Sequence, residues 1–166
     1  YVAATTETTG TNVSRTYLLV NVTSTDAGAL ANITIRLYNS TRDLINTSVS
    51  STGAASYYIN FSGLTTNGVY YFNATATDYL NQQNSSIATR SVTIDTIPPN
   101  ITFVSPTPEN NTINIGGNFS VNVTAADNTL NIRTIIINLY NATNLINSNS
   151  STSSPFNISY VGLSAG

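Results

Sequence analysis

The sequence contains no cysteine, histidine, lysine, tryptophan or methionine. Without histidine and cysteine the chain cannot form a Ser-His-Asp or Cys-His nucleophile pair, an ordinary zinc or copper site, or a disulfide bond. Without lysine it cannot form a Schiff base or a Lys-Asn isopeptide cross-link. Because these residues supply the commonest catalytic and cofactor-binding groups, we expect no enzyme activity, no cofactor and no metal.

Charge is also scarce, since charged residues make up 7% of the 166 residues against roughly 25% in an average soluble domain. The five arginines are scattered along the chain, so we expect no phosphate-binding surface and no nucleic-acid partner. No apolar run approaches the roughly 18 residues that a membrane helix requires. We therefore expect no membrane insertion.

Polarity comes instead from 24 asparagines, 27 threonines and 20 serines. The N-glycosylation acceptor motif Asn-X-Ser/Thr occurs fifteen times, which is about twice the number expected from composition. The acceptor asparagines are Asn12, Asn21, Asn32, Asn39, Asn46, Asn60, Asn73, Asn84, Asn100, Asn110, Asn118, Asn122, Asn141, Asn149 and Asn157. The motifs predict covalent N-glycans and an extracellular, cell-surface location.

Many of these motifs lie in segments where apolar and polar residues alternate. Leu18, Val20 and Val22 share one face of a strand by its two-residue period, which turns Asn21 outward. The same alternation turns seven further acceptors outward: Asn32, Asn60, Asn73, Asn100, Asn118, Asn122 and Asn157. A bulky glycan requires an exposed asparagine, so this placement suits a glycosylated sheet, although any polar residue would follow the same alternation.

The sequence repeats itself after about one hundred residues. The matching segments are 20–26 with 121–127, 35–41 with 137–143, 44–46 with 145–147, and 63–64 with 162–163. Between the repeats, Pro98 and Pro99 fix two φ angles and remove two donors, which predicts a short, stiff connection. We therefore place a complete domain at 1–97 and a second domain at 98–166.

Short alternating runs separated by turn residues predict an all-β fold of two tandem Ig-like β-sandwich domains. The strands predicted for the first domain lie near residues 1–6, 17–24, 32–38, 43–49, 56–62, 69–77 and 87–94. Tyr70 follows Leu64 by six residues, the spacing of a tyrosine corner, in which the phenol hydroxyl bonds upstream backbone. In the second domain, Ile101 and Phe103 alternate with Asn100 and are expected to face inward.

Two segments carry a resemblance to known repeats. Residues 63–78 read Gly-Leu-Thr-Thr-Asn-Gly-Val-Tyr-Tyr-Phe-Asn-Ala-Thr-Ala-Thr-Asp, which resembles the end of microbial Ig-like or fibronectin-III-like surface repeats. Residues 91–106 read Ser-Val-Thr-Ile-Asp-Thr-Ile-Pro-Pro-Asn-Ile-Thr-Phe-Val-Ser-Pro, which resembles the junction between such repeats in archaeal and bacterial cell-surface proteins. The resemblance covers nearly the whole chain and implies a stalk, S-layer, adhesin or filament, with no particular activity.

The second repeat stops soon after Gly162-Leu163, before any equivalent of residues 69–77 and 87–94. We therefore expect its last two strands to be absent from this chain or donated by a neighbouring subunit. The candidate donor strand is the first eight residues: Tyr1, Val2, Ala3, Ala4, Thr5, Thr6, Glu7 and Thr8. Head-to-tail donation would build a filament from copies of the chain, and the alternative partners are further repeats of the same chain.

Two functions remain open at this point. The first is a structural subunit of a glycosylated extracellular layer or filament, and the alternative is a glycan-binding or adhesive accessory module of a larger secreted protein. The alternative would use outward aromatic rings, namely Tyr38, Tyr58, Tyr71 and Tyr140, although cross-strand pairing would explain them equally. Asp26 and Asp127 occupy equivalent loop positions and are expected to form turns, with calcium binding as the weaker alternative.

Overall fold

The computed structural model describes residues 1–3, 6–26, 29–51, 53–113 and 116–163. All secondary-structure elements in these residues are β-strands, which confirms the predicted all-β class. In this part of the chain, no helix is long and apolar enough to cross a membrane. The chain divides into two compact units, Tyr1–Thr96 (unit 1) and Ile97–Gly166 (unit 2).

Unit 1 is a sandwich of two sheets. Its strands are β1 (Thr11–Val13), β2 (Leu18–Thr23), β3 (Leu30–Tyr38), β4 (Leu44–Val49), β5 (Ser56–Phe61), β6 (Gly68–Asp78), β7 (Gln83–Asn84) and β8 (Arg90–Ile94). One sheet has the order β1-β8-β6-β3-β4, with β7 paired to β6, and the other contains β2 and β5. β6 is therefore the central strand of the larger sheet and pairs with β3 on one side and with β8 on the other.

The core of unit 1 follows from the two-residue period of its strands. The buried apolar residues are Val13, Leu18, Val20, Val22, Ile33, Ile35, Leu37, Phe61, Leu64, Tyr70, Phe72, Ala74, Val92 and Ile94. They come from both sheets, so the two inner faces bury each other, as a sandwich requires. The predicted tyrosine corner is confirmed, because the Tyr70 hydroxyl donates to the Thr66 carbonyl at 2.8 Å.

Unit 2 has fewer strands over its described residues. They are β9 (Asn100–Val104), β10 (Phe119–Ala126), β11 (Ile135–Tyr140), β12 (Leu145–Ser151) and β13 (Phe156–Tyr160). One sheet has the order β13-β10-β9, and the other contains β11 and β12. The buried core is correspondingly smaller and consists of Val121, Val123, Ile135, Ile137 and Tyr160.

The two units share one strand plan down to the pairing register. Leu18 lies opposite Phe61 in unit 1, and Phe119 lies opposite Tyr160 in unit 2. The β3–β4 and β11–β12 hairpins both shift register one residue before the strand ends, at Tyr38 and at its counterpart in unit 2. The repeat detected in the sequence is therefore a repeat of structure, with β2, β3, β4 and β5 equivalent to β10, β11, β12 and β13.

The structure differs from the predicted strands at the start of unit 1. The described residues of 1–6 are not in strand conformation, although the Val2 N–H donates to the Asn21 carbonyl at 2.9 Å. Beyond Gly10, which has a φ of 79°, the chain joins the other sheet as β1 and pairs in parallel with β8. β1 and β7 were not predicted, because strands of three and two residues leave no measurable periodicity.

A second difference from expectation lies in unit 2. Ile101 and Phe103 were expected to face inward, and both line an apolar groove of this unit, but they are 57% and 72% exposed. β9 pairs with β10, so the strand itself is formed. Its apolar residues stay exposed because, among the described residues, no strand corresponds to β6 or β8 and covers them.

Candidate functional site

The fifteen acceptor asparagines all lie outside the two cores. Nine are exposed: Asn12, Asn46, Asn60, Asn84, Asn100, Asn110, Asn118, Asn141 and Asn157. Six are half-buried: Asn21, Asn32, Asn39, Asn73, Asn122 and Asn149. Since a glycan needs space around the side-chain amide, the exposed group contains the better acceptors.

Asn21 and Asn122 are the poorest acceptors in geometric terms. They occupy equivalent positions on β2 and β10, and their side-chain amide oxygens are buried. The Asn122 amide also donates from Nδ2, the atom that would carry a glycan, to the Ser105 carbonyl at 3.0 Å. Alternation correctly placed both side chains away from the core, but it could not show that a neighbouring segment covers them.

In each unit, a threonine of the covering segment bonds through its hydroxyl to the backbone N–H and carbonyl of the asparagine. We call this arrangement the threonine clasp. The Thr6 hydroxyl donates to the Asn21 carbonyl at 2.8 Å and accepts from the Asn21 N–H at 2.8 Å. Thr107 makes the same two bonds to Asn122, at 2.8 and 2.7 Å. The clasp was not predicted, although the fifteen-residue spacing between threonine and asparagine recurs in both repeats and could have indicated it.

The described residues among the first eight pack on their own unit. The Tyr1 hydroxyl donates to the Phe72 carbonyl at 3.2 Å, and the two rings meet edge to face at 5.5 Å. Burial raises the pKa of the Tyr1 phenol to about 12, against the opposite effect of the Arg90 charge, whose guanidinium lies 4.2 Å from the ring centroid. Ala4 and Thr5 of the candidate donor strand lie outside the described residues.

Two charged contacts add to this attachment. Arg90 donates from Nη1 to the Glu7 carbonyl at 2.8 Å, and the Glu7 carboxylate pairs with Arg15. The Glu7 N–H also donates to the Leu19 carbonyl at 3.3 Å. Residues 1–3 and 6–7 thus occupy the position in unit 1 that β9 and Thr107 occupy in unit 2. Donation of this segment to a neighbour stays a prediction, and it would require these contacts to break.

The outward tyrosines of unit 1 lie on both of its sheets. Tyr38 and Tyr71 lie opposite each other on β3 and β6, and the Arg42 guanidinium stacks over the Tyr71 ring at 4.1 Å. Tyr58 lies on β5 in the other sheet, and Tyr140 lies in unit 2. Tyr38 and Tyr71 are therefore a cross-strand pair of the kind that stabilises an exposed sheet.

The turn-forming aspartates act as backbone and side-chain acceptors. Asp127 accepts the N–H groups of Leu130 and Thr129, both at 2.8 Å, and these bonds lower the pKa of its carboxyl. The pKa of Asp43 is lowered by hydrogen bonds from Thr41 and then Asn39. Within the described residues, no group of three or more acidic, cysteine or histidine side chains could hold a metal ion.

Unit 2 contains an apolar groove where, among the described residues, no strand corresponds to β6 or β8. It has a volume of about 700 Å³ and runs between the two sheets, bounded by Phe103 of β9, Val121 and Val123 of β10, and Ile137 and Leu139 of β11. In the described part of the chain, β11 pairs only with β12, so its other edge is open at the groove. Groove and open edge together make a large apolar concavity in this unit.

No family model and no curated protein matches the chain. Among solved structures, a tetra-tandem repeat from the extending region of a large adhesion protein aligns with 94% of this chain, at 18% sequence identity and a TM-score of 0.42. The aligned chain spans 39% of the length of that structure. The likeness is too distant to assign a family.

Proposed function

We propose that the chain is a non-catalytic, N-glycosylated tandem-repeat segment of an extracellular surface protein, with a spacing or adhesive role. The observation that carries the proposal is the combination of two units of one strand plan with fifteen acceptor motifs outside both cores. Glycans on these positions would keep a sheet surface with few charges in solution, because they supply the hydration that ions usually supply. The natural partners in this proposal are further repeats of the same kind.

A second form of the proposal is head-to-tail polymerisation of this chain into a filament through its first eight residues. The contacts of Tyr1, Thr6 and Glu7 with their own unit do not favour it. A glycan-binding role is also less favoured, since Tyr58 and the Tyr38–Tyr71 pair lie on different sheets of unit 1. A repeat segment that spaces or presents adhesive surface is therefore the form that we favour.

The proposal is tested on native protein by mass spectrometry of glycopeptides from the surface fraction of the source cells. We expect glycans at exposed positions such as Asn60 and Asn157, and much lower occupancy at Asn21 and Asn122, where the amide oxygens are buried. Removal of the glycans should reduce solubility without unfolding either unit. Unmodified asparagine at all fifteen positions, or recovery of the protein only from the cytoplasm, would contradict the proposal.

A further inference from the structure

We propose that the groove of unit 2 binds an extended peptide segment with the sequence pattern of β6, which adds antiparallel to the open edge of β11. The site is a strand-binding site of the β-augmentation type, in which backbone bonds give affinity and alternate side chains give specificity. The inference depends on the internal symmetry of the chain. It is independent of glycosylation and location, so it can fail or succeed separately from the proposed function.

Unit 1 contains the occupied form of the same site. Its β3 pairs with β4 on one edge and with β6 on the other, and β11 is the equivalent of β3 by pairing register and by the shared register shift. The inward residues of β3 are completely buried there, including Ile35 and Leu37. In unit 2 the equivalent of Leu37 is Leu139, which stays partly exposed.

The register of β6 on β3 specifies the segment that fits. In unit 1, Phe72 lies opposite Leu37, and Ala74 lies opposite Ile35. The same register in unit 2 places a large aromatic residue opposite Leu139 and a small residue opposite Ile137. A segment of this pattern would cover the exposed ring of Phe103 and satisfy the backbone groups of the β11 edge.

A buried polar group gives a second reason to expect a strand in the groove. Tyr160 lines the groove and is 6% exposed, and its hydroxyl has no hydrogen-bond partner among the described residues. A buried hydroxyl without a partner is unfavourable. In unit 1 a tyrosine hydroxyl from another segment, that of Tyr1, donates to the β6 carbonyl of Phe72. A docked strand would offer Tyr160 backbone carbonyls of the same kind.

The first eight residues of a second copy fit the groove less well. They carry no large aromatic residue at the position that Phe72 occupies, since Tyr1 aligns with Tyr71 and Val2 with Phe72. Thr6 and Glu7 are also held on their own unit, by the Thr6 clasp and by Arg90. The β6 pattern is therefore the occupant that the structure favours.

Because the chain contains no cysteine, a single introduced cysteine can report the register of a peptide bound to β11. In unit 1, Arg36 faces Asn73 and Thr34 faces Thr75. The equivalents of Arg36 and Thr34 are Asn138 and Ile136, which are both exposed on β11. We would prepare the chain as Asn138→Cys and as Ile136→Cys, and a synthetic peptide of residues 68–78 carrying either Asn73→Cys or Thr75→Cys.

Disulfide formation in a glutathione buffer is then followed by intact mass for the four combinations. The matched pairs, 138 with 73 and 136 with 75, should cross-link about tenfold faster than the two mismatched pairs, because a disulfide requires closely spaced Cβ atoms. Tyr160→Phe in the chain should lower peptide capture about fivefold, as expected for the loss of one hydrogen bond. Both cysteine positions are exposed, so the variants should fold.

Three results would overturn the inference. The first is equal cross-linking in all four combinations, which would indicate random collision. The second is preferential capture of a peptide of residues 1–11 over the peptide of residues 68–78, which would identify the chain start as the occupant. The third is a stable dimer of the unmodified chain in sedimentation, with the groove protected from hydrogen exchange, which would mean that a second copy covers it.

Discussion

Unit 1 and unit 2 carry the same strand plan but bury very different amounts of it. Equivalent residues of β3 and β11 follow the same alternation, yet Leu37 is completely buried and Leu139 is not. The difference arises from β6, whose Tyr70, Phe72 and Ala74 close the core of unit 1. Alternation therefore determines which face of a strand is apolar, whereas burial depends on whether another strand covers that face.

The largest expected effect is the loss of stability when Leu37 is truncated, compared with the same change at its equivalent Leu139. Leu37→Ala should destabilise unit 1 by about 2–5 kcal/mol, because it leaves a cavity in a closed core. Leu139→Ala should destabilise unit 2 by less than about 2 kcal/mol, since the groove already exposes part of this side chain to water. Urea titration with hydrogen-exchange mass spectrometry reports the two units of the full chain separately. Equal losses in both units would mean that the groove is closed in solution.

The threonine clasp sharpens the comparison, because here the units are alike. Thr6→Val should destabilise unit 1, and Thr107→Val unit 2, each by about 1–3 kcal/mol, since the methyl group that replaces the hydroxyl cannot bond the backbone of the facing asparagine. The same titration measures both. Thr23→Val, at an exposed position on β2, serves as the control and should be close to neutral. A loss confined to one unit would show that the clasp is not equivalent in the two.

Two buried tyrosines should respond in opposite ways. Tyr70→Phe removes the tyrosine-corner bond to the Thr66 carbonyl and should destabilise unit 1 by about 1 kcal/mol. Tyr160→Phe removes a hydroxyl that has no partner among the described residues, so unit 2 should change by roughly zero or become slightly more stable. Thermal denaturation of each variant measures this. A clear loss in Tyr160→Phe without added peptide would mean that the groove is already occupied.

The smallest expected effect is on the acid side of the stability curve. The pKa values of Asp43 and Asp127 are lowered by hydrogen bonds in the folded state. A lowered pKa stabilises the fold above the carboxyl's unfolded value, and this contribution is lost as the pH falls through the folded value. Both units should therefore lose a little stability below about pH 4.

The matched variants for this effect are Asp43→Asn in unit 1 and Asp127→Asn in unit 2. Each variant should reduce the loss of stability of its own unit at acid pH and leave that of the other unit unchanged. Urea midpoints measured at several pH values between neutral and acid conditions check the result. If neither variant changes the loss of stability at acid pH, other groups cause that loss.

Much of unit 1 could be predicted from its sequence. Strands near 17–24, 32–38, 43–49, 56–62, 69–77 and 87–94 correspond to β2, β3, β4, β5, β6 and β8, and the tyrosine corner followed from the spacing of Leu64 and Tyr70. The described residues of 1–6 are not in the predicted strand, and their contacts with Asn21 of β2 and Arg90 of β8 depend on residues far along the chain. Local periodicity contains no information about such partners.

The acceptor motifs show the same limit. Alternation placed Asn21 and Asn122 on the faces turned away from the core, and that placement is correct. It could not show that Thr6 and Thr107 lie across them, because the clasp joins residues fifteen positions apart and depends on the fold to bring them together.

The sequence by itself determined the all-β class, the repeat of about one hundred residues and the outward direction of the acceptor asparagines, because strand period and motif are local properties. Only the tertiary structure decided which apolar faces are covered. Phe72 and Phe103 are equally apolar in the sequence, yet one is completely buried and the other is 72% exposed. The reason is that burial requires a second surface, and unit 1 provides one through β6 where the described part of unit 2 presents an open groove.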